Sequence, residues 1–358
     1  GGFPTPEGEV PRWARERRRS TLAGMTTHPS LRTPFCRMLG LTAPVVQAPV
    51  GSASTPELAA AVSNAGGLGM LALSWTPAAS VRERIRATRA LTGRPFGVNF
   101  VLEWDQHERV RACTAESVAV VSTFWGDPAP YVEAIHGGGA LHLHTVASAE
   151  EAVRAVDAGV DVIVAQGWEA GGRVWGDVAT LPLVPAVVDA VRPVPVIAAG
   201  GVGDGRGLAA VLVLGADAAW IGTRFLLARE ASVHEEWRRR IQEASETDTV
   251  HTTLFDGGWP EAPHRTLRNS TVEAWERAGR PAAPARPREG EVVACARDGR
   301  HIYRYGADAP LAGATGDVEA LALYAGQSAG IVKRARPAAA ILDELMVGAA
   351  SAFSSAAR

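Results

Sequence analysis

The chain has 358 residues, of which 47% are hydrophobic and 21% are charged, and its formal net charge is −2. This profile is typical of a soluble globular enzyme and excludes a disordered chain or a basic nucleic-acid-binding protein. The cysteines Cys36, Cys113 and Cys295 lack CxxC spacing, so neither a disulfide framework nor a zinc knuckle is predicted and a cytoplasmic location is expected. No run approaches the roughly 18 apolar residues of a membrane span.

The N-terminal segment carries a basic run at 15–19 and has no hydrophobic period. A lone run of charges is usually a solvated segment. We therefore predict that residues 1–30 form a flexible extension without a catalytic role.

From residue 45 onwards, short β-branched or apolar runs alternate with longer segments of helical period, which is typical of repeated βα units. Capping residues ahead of carboxylates mark helix starts at Thr55 and Ser148. Eight such strands with crossover helices predict an α/β fold, a (β/α)8 TIM barrel over residues 31–227. The strands are expected near residues 45–47, 68–71, 96–100, 118–122, 140–145, 162–166, 196–199 and 219–222.

After the eighth strand the βα rhythm stops. Residues 228–306 are richer in Trp, His and Pro, and we predict a cap beside the C-terminal ends of the strands, where barrel active sites are built. The Pro- and Arg-rich stretch 280–288 is expected to be a surface loop within it. Residues 307–358 are predicted to be C-terminal helices that return to the barrel, with a helix near 318–324.

Two glycine-containing segments end neighbouring strands of the predicted barrel. Glycines let backbone N–H groups approach an anion closely, and the loops after strands seven and eight of barrels commonly hold a phosphate. A lone glycine pair is more often a plain turn, but two such segments on adjacent strands predict a phosphate site. Its residues are Gly200 and Gly201 after strand seven, and Trp220, Ile221, Gly222 and Thr223 at the end of strand eight.

Amide side chains are expected at the same mouth of the barrel. A flavin has a pyrimidine edge of alternating donors and acceptors, which Gln and Asn amides can match. Taken singly, such an amide more often caps a loop, but together with the phosphate loops the set favours a flavin. Its members are Gln166 with Gly171 and Gly172 after strand six, Asn99 in strand three, and Gln47, Ala48 and Pro49 at the end of strand one.

The order and spacing of six motifs resemble those of the nitronate monooxygenase family, over roughly residues 31–345. The motifs are QAPVG at 47–51, GVNF at 97–100, QGWEAGG at 166–172, AAGGVGDGRG at 198–207, GADAAWIGTRFL at 215–226 and YAGQSAG at 324–330. The resemblance implies an FMN barrel with a cap. It also implies that FMN contacts come from Asn99, Gln166, Gly171, Gly201 and the 220–223 stretch, with Tyr324, Gly326 and Gln327 near the ring.

The same resemblance implies an oxidoreductase acting on a small molecule, a nitronate or similar anion, with O2. The alternative that it implies is an NAD(P)H-dependent flavin reductase of quinones or enoyl thioesters. A monomer or homodimer is expected, with no nucleic acid, membrane or metal partner.

One departure from the family pattern concerns the active-site base. The family's loop reads EAGGH, with His as the base, whereas this chain has Arg173. Arginine stays protonated and can only donate hydrogen bonds, so it cannot remove a proton. We predict that Arg173 binds an anionic substrate or stabilises negative charge on reduced flavin.

A replacement base is predicted in the fifth strand. Residues two apart on a strand share a face, so His142 and His144 both point into the barrel if Leu141 and Leu143 pack outward. His144, nearer the mouth, is our second catalytic candidate, and a hydrogen-bonded histidine without chemistry is an equal alternative. The remaining histidines of the cap region are expected to face solvent: His251, His264 and His301.

Three other functions fit the residues less well. A zinc hydrolase with the HxH pair would need further ligands at other strand ends, which here are Gln166, Ala199 and Gly222. A dehydrogenase of the inosinate type would need a cysteine after strand six. A flavin-storage protein would not need the convergent polar groups predicted beside the ring.

Overall fold

A computed structural model describes residues 28–356, so most of the predicted N-terminal extension lies outside the described residues. Eight parallel strands form one sheet in which chain neighbours are also sheet neighbours, and β8 pairs with β1. A bridge between Val46 and Leu68 closes the ring, so the predicted TIM barrel is confirmed. The strands are β1 (Val45–Gln47), β2 (Gly69–Ala72), β3 (Phe96–Val101), β4 (Val120–Phe124), β5 (Leu141–Val146), β6 (Val162–Gln166), β7 (Val196–Ala199) and β8 (Ala218–Ile221).

The helices around the barrel begin at the signals that the sequence carries. The Thr55 hydroxyl accepts a hydrogen bond from Leu58 N at 3.0 Å, and the Ser148 hydroxyl accepts one from Glu151 N at 3.1 Å. Seven helices follow strands: Pro56–Asn64, Ala78–Leu91, His107–Thr114, Ala129–Gly137, Ala149–Asp157, Thr180–Val191 and Gly205–Val213.

The C-terminal helix Ala338–Ala356 completes the ring, because it packs between Gly205–Val213 and Pro56–Asn64. The predicted helix near 318–324 is wrong: that segment holds only a 3-10 turn, Val318–Ala320. By length and composition Ala338–Ala356 is apolar enough to cross a membrane, although Asp343 and Glu344 interrupt its apolar run. Core packing accounts for its apolar character, because its residues Leu342, Leu345 and Ala349 are buried.

The side chains that pack inside the barrel show which face of each strand points inward. Leu143 packs there with Val46, Met70, Ile197 and Trp220. Because side chains alternate along a strand, His142 and His144 face the surrounding helices, on the same side as Val146, which lies in the outer core. The expectation that both histidines face the interior is therefore wrong. Bulky branched side chains fill barrel interiors, and the two leucines of β5 take those places.

The segment after β8 covers the mouth of the barrel. Its strands Thr249–Thr252 and His264–Leu267 are antiparallel, and the second also pairs with Gly172–Arg173 from the loop after β6. The other cap elements are the helices Thr223–Leu226, Glu235–Glu243 and Ser270–Arg277 and the strands Val292–Cys295, His301–Tyr303 and Thr315–Gly316. A small core joins Val293 and Ile302 to Ala314 and Leu321, so the cap packing extends past residue 306.

Candidate active site

The loops after β7 and β8 have the backbone geometry that anion binding needs. Gly200 and Gly201 have φ of 107° and 71°, a region that side chains disfavour. Among the described residues, the N–H groups of Gly201 and Thr223 donate no hydrogen bond to a protein acceptor. A Cβ added at Gly222 would lie 3.6 Å from its nearest neighbour, the Ala48 Cβ, which is an ordinary van der Waals contact, so the loop is not crowded at this position. These features fit a phosphate group.

The loop after β6 lies against the segment around residue 326. A Cβ on Gly171 would come within 2.4 Å of Gly326 N, and Thr223 Oγ1 accepts a hydrogen bond from that N–H at 2.9 Å. The side chain of Gln327 is exposed, while its N–H donates to Glu169 O at 3.0 Å. The three segments predicted to surround the cofactor therefore meet at one place.

Two amides face the mouth from the barrel wall. Gln166 Nε2 donates to Arg173 O at 3.2 Å, but its buried Oε1 has no partner among residues 28–356. Asn99 is buried and lies on the interior face, because a Cβ on Gly97 two residues earlier would meet Met70 and Val120. An unpartnered buried acceptor is costly. The polar edge of a flavin ring would satisfy it.

Gln47 has a different position from the one expected. Its side chain faces outward and is fully buried: Oε1 accepts from Met70 N at 3.0 Å, and Nε2 donates to Ser54 Oγ at 3.1 Å and to Ala48 O. Its side-chain amide therefore links β1 to β2 by a hydrogen bond and is not available to a ligand. Ile221 also packs outward, so at these two positions the backbone is the part available to a ligand.

Arg173 lies where the cap meets the barrel. Its Nη1 donates to Ala262 O at 2.6 Å and lies 2.9 Å from His264 Nδ1, and its Nη2 donates to Phe255 O at 3.3 Å. Its guanidinium carbon lies 4.8 Å from the Trp259 ring centre. No carboxylate of the described chain forms an ion pair with it, so its partners are all neutral. Burial lowers the pKa of Arg173, which means that an anion would stabilise its charge.

His264 lies beside Arg173, contrary to the prediction that it faces solvent. It is fully buried beside Arg173. Burial, and next the charge of Arg173, lower the pKa of His264 to about 3, so the imidazole is neutral. His251 is half-buried, with Nε2 2.9 Å from Val174 O, whereas His301 is exposed as expected.

The β5 histidines form a buried network outside the barrel. Thr123 Oγ1 lies 2.8 Å from both His142 Nε2 and His144 Nδ1. Burial lowers the pKa of His142 to about 3, with a smaller contribution from His144, and lowers the pKa of His144 to about 4. Both are poor proton acceptors there, and this arrangement supports the alternative in which they have no chemical role.

Comparison with known proteins decides to which family the chain belongs. The family model described as nitronate monooxygenase matches residues 32–109 and 103–348. The chain belongs to the nitronate monooxygenase family. It is accordingly an oxidoreductase, and its family is flavin-dependent.

Members of the nitronate monooxygenase family and related enzymes are similar over most of the chain. The (3aS,4S,5R,7aS)-5-hydroxy-7a-methyl-1-oxo-octahydro-1H-indene-4-carboxyl-CoA dehydrogenase of Mycobacterium tuberculosis is 39% identical over 253 residues, 70% of each chain. A nitronate monooxygenase of Paraburkholderia phytofirmans is 32% identical and covers 86% of this chain and 92% of its own. The structure of FabK from Thermotoga maritima superposes with a TM-score of 0.76, at 30% identity over 91% of this chain and 98% of that one.

A structure of nitroalkane oxidase from Streptomyces ansochromogenes is similar as well. Its TM-score is 0.73, at 30% identity, with 90% of this chain and 99% of that one covered. The family resemblance in the motifs is therefore confirmed. The contacts of individual residues with a flavin stay predictions.

Proposed function

We propose that this protein is an FMN-dependent enzyme that oxidises alkyl nitronates with O2. The observation that carries the proposal is Arg173, a largely buried guanidinium at the mouth with neutral partners. A nitronate is an anion from the start and needs a cation to bind it rather than a base to create it. Arg173 occupies the position of the family's usual His, so the binding group stands where the base would stand.

The residues around the mouth fit FMN. The backbone of Gly200, Gly201 and Gly222 would hold the phosphate, while Asn99 and Gln166 would face the polar edge of the ring. When bound, FMN would accept electrons from the substrate and pass them to O2. The protein's own contribution is to bind the anion at Arg173 and to exclude water with the cap.

The histidines near the mouth support a preformed anion as substrate. An efficient general base has a pKa near the working pH. The pKa of His264 is lowered to about 3 and that of His144 to about 4, and His144 faces away from the interior. A neutral nitroalkane would therefore find no good histidine base in either position.

A second candidate activity is the oxidation or reduction of an acyl thioester. It is favoured by the 39% identity to a carboxyl-CoA dehydrogenase, which exceeds the 32% identity to a nitronate monooxygenase. NAD(P)H would then be the reductant in the reductive direction. The location proposed for either activity is the cytoplasm, where the three free cysteines stay reduced.

Anaerobic mixing separates the two candidates. We expect propyl-2-nitronate to bleach the bound flavin rapidly when the two are mixed without oxygen. When air is admitted, the flavin should recover its colour and oxygen should be consumed. NADH alone should bleach it slowly. Rapid bleaching by NADH, followed by reoxidation with an enoyl thioester and no reaction with nitronates, would move the function to the thioester candidate.

The flavin site itself is tested by the variant Gly222→Val. Because a Cβ at Gly222 would make only ordinary van der Waals contacts, at 3.6 Å and beyond, and φ there is negative, we expect a folded barrel. The backbone can no longer approach a phosphate there, so the dissociation constant for FMN should rise about tenfold or more. It is measured by fluorescence titration of the apoprotein with FMN.

The matched control is Gly93→Val. A Cβ on Gly93 would meet nothing within 4 Å, and Gly93 precedes β3 at the opposite end of the barrel. This variant should bind FMN like the wild type. Equal affinities for FMN in all three proteins would contradict the assignment of the phosphate loops.

A further inference from the structure

Five indole rings gather at the C-terminal ends of the strands, and the function described so far does not use them. Trp75 follows β2, Trp104 follows β3, Trp125 follows β4, Trp175 follows β6 and Trp259 comes from the cap. We call these five residues the tryptophan wall. Ring centres of contacting pairs are 4.9 to 6.5 Å apart, at interplanar angles of 60° to 74°. Edge-to-face packing of this kind is favourable.

The wall is continuous with the cation of the proposed site. Arg173 stacks on Trp259 at 4.8 Å, and Trp259 is 5.0 Å from both Trp104 and Trp125. The wall is built on strands β2, β3, β4 and β6, whereas the phosphate loops follow β7 and β8. It therefore lines the side of the mouth that phosphate binding leaves free.

Two features of the wall differ from those of ordinary core packing. Trp75 keeps 57% of its surface exposed, although it contacts Trp104 and the buried Trp259. Trp125 has φ of 64°, which a bulky residue rarely adopts, and the next residue, Gly126, is also left-handed at 73°. Backbone strain at a residue with a bulky side chain is typical of functional sites.

We infer that the tryptophan wall binds the apolar body of a ring-bearing substrate whose anionic head contacts Arg173, so that aryl-substituted anions are preferred over short alkyl ones. This inference rests on the proposed function, because it places the substrate's head at Arg173. Indole faces bind flat apolar rings with large contact area and little loss of conformational freedom. A one- or two-carbon nitronate would leave most of the wall uncovered.

The test uses carboxylates, which are planar anions like nitronates but are not turned over. Phenylacetate and acetate are titrated into the flavin-loaded protein, and binding is followed by tryptophan fluorescence and by the flavin absorbance spectrum. We expect the wild type to bind phenylacetate more than tenfold more tightly than acetate. In Trp75→Ala the dissociation constant of phenylacetate should rise roughly five- to tenfold while that of acetate stays unchanged.

Trp75 is the residue to replace first, because its exposed side chain contributes little to the stability of the fold. Trp104→Ala is the second variant. The matched control is Trp275→Ala, a cap tryptophan that stacks on Arg280 and donates to Pro281 O at 2.9 Å, outside the wall. Thermal unfolding of each variant shows that the comparison is made between folded proteins.

The outcomes separate this inference from the proposed function. Equal losses for phenylacetate and acetate in Trp75→Ala and Trp104→Ala, or no loss for either ligand, would overturn the role of the wall. If nitronates are oxidised with no preference for aryl over alkyl forms, the inference fails and the proposed function stands. If phenylacetate binding depends on the wall but nitronates are not oxidised, the substrate class stands and the reaction does not.

Discussion

Replacing Arg173 by alanine is expected to raise the KM for alkyl nitronates about 5- to 150-fold, with the flavin content little changed. The range corresponds to the roughly 1 to 3 kcal/mol of a lost charge-assisted contact. The effect should appear mainly in KM if the cation binds ground state and transition state alike. It is measured by oxygen uptake with propyl-2-nitronate at a pH where the substrate is fully anionic.

Arg173 also holds the cap, so its removal needs a control that loosens the cap without removing the charge at the mouth. Arg265→Ala is that control. Arg265 lies on the adjoining cap strand, is buried, donates to Trp168 O at 2.9 Å and stacks on Trp168 at 4.9 Å. If Arg265→Ala raises the KM as much as Arg173→Ala does, the effect comes from the cap and the binding role of Arg173 is wrong.

Arg173→His gives a complementary result. It restores the family's residue at this position, and the variant should gain activity on neutral nitroalkanes, since an imidazole can remove the α-proton. The wild type should act on neutral nitroalkanes far more slowly than on nitronates. Equal rates on both, abolished in His144→Ala, would show that a base operates from β5 despite its outward orientation.

The loops proposed to hold the phosphate could be located from the sequence, because their positions follow from local pattern and topology. Once eight βα units are counted, Gly200 and Gly222 fall at the ends of β7 and β8, and the ends of parallel strands in a barrel share one face. The family motifs added the expectation of FMN as the cofactor. No long-range packing had to be known for either step.

Periodicity alone could not predict which face of β5 points into the barrel. That prediction also needed a comparison of the side chains on the two faces. An alternation of two places His142 and His144 on one face but does not say which face is inside. Leu141 and Leu143 compete for the interior, and a branched apolar side chain fills it at lower cost than an imidazole. His264 could not be placed for another reason: the cap lacks a regular period, and its position depends on pairing with Gly172–Arg173 across 91 residues of sequence.

The tryptophan wall could have been predicted in part from the positions of the tryptophans in the sequence, although composition alone does not reveal it. The chain contains ten tryptophans, and several of them follow directly on predicted strand ends. In a barrel such positions converge on the mouth. A search for aromatic residues after each strand would have found Trp75, Trp104, Trp125 and Trp175, but only the folded cap adds Trp259.

Acidification is expected to destabilise this protein well before its carboxylates titrate. The pKa values of His142 and His264 are lowered to about 3 and that of His144 to about 4, mainly by burial. In the unfolded chain each would have a pKa of about 6.5. Below pH 6.5 the unfolded chain therefore takes up protons on these three histidines, whereas the folded protein does not. The free energy of unfolding is therefore highest above pH 6.5 and decreases as the pH falls.

The size of this effect follows from the number of groups. Each buried neutral histidine contributes at most about 1.4 kcal/mol per pH unit, so three contribute up to about 4 kcal/mol per unit between pH 6 and pH 5. The free energy of unfolding is measured by urea titration at pH 7.5, 6.0, 5.5 and 5.0. His142→Gln should reduce the slope by about one third, because its amide can keep the contact with Thr123 but takes up no proton.

His301→Gln is the matched control, because His301 is exposed. Its slope of stability against pH should equal that of the wild type. A wild-type stability that stays flat from pH 7.5 to pH 5.0 would show that the three histidines are not buried as neutral groups. A slope that is present but unchanged in His142→Gln would assign the effect to His144 and His264 and would show that His142 does not contribute to it.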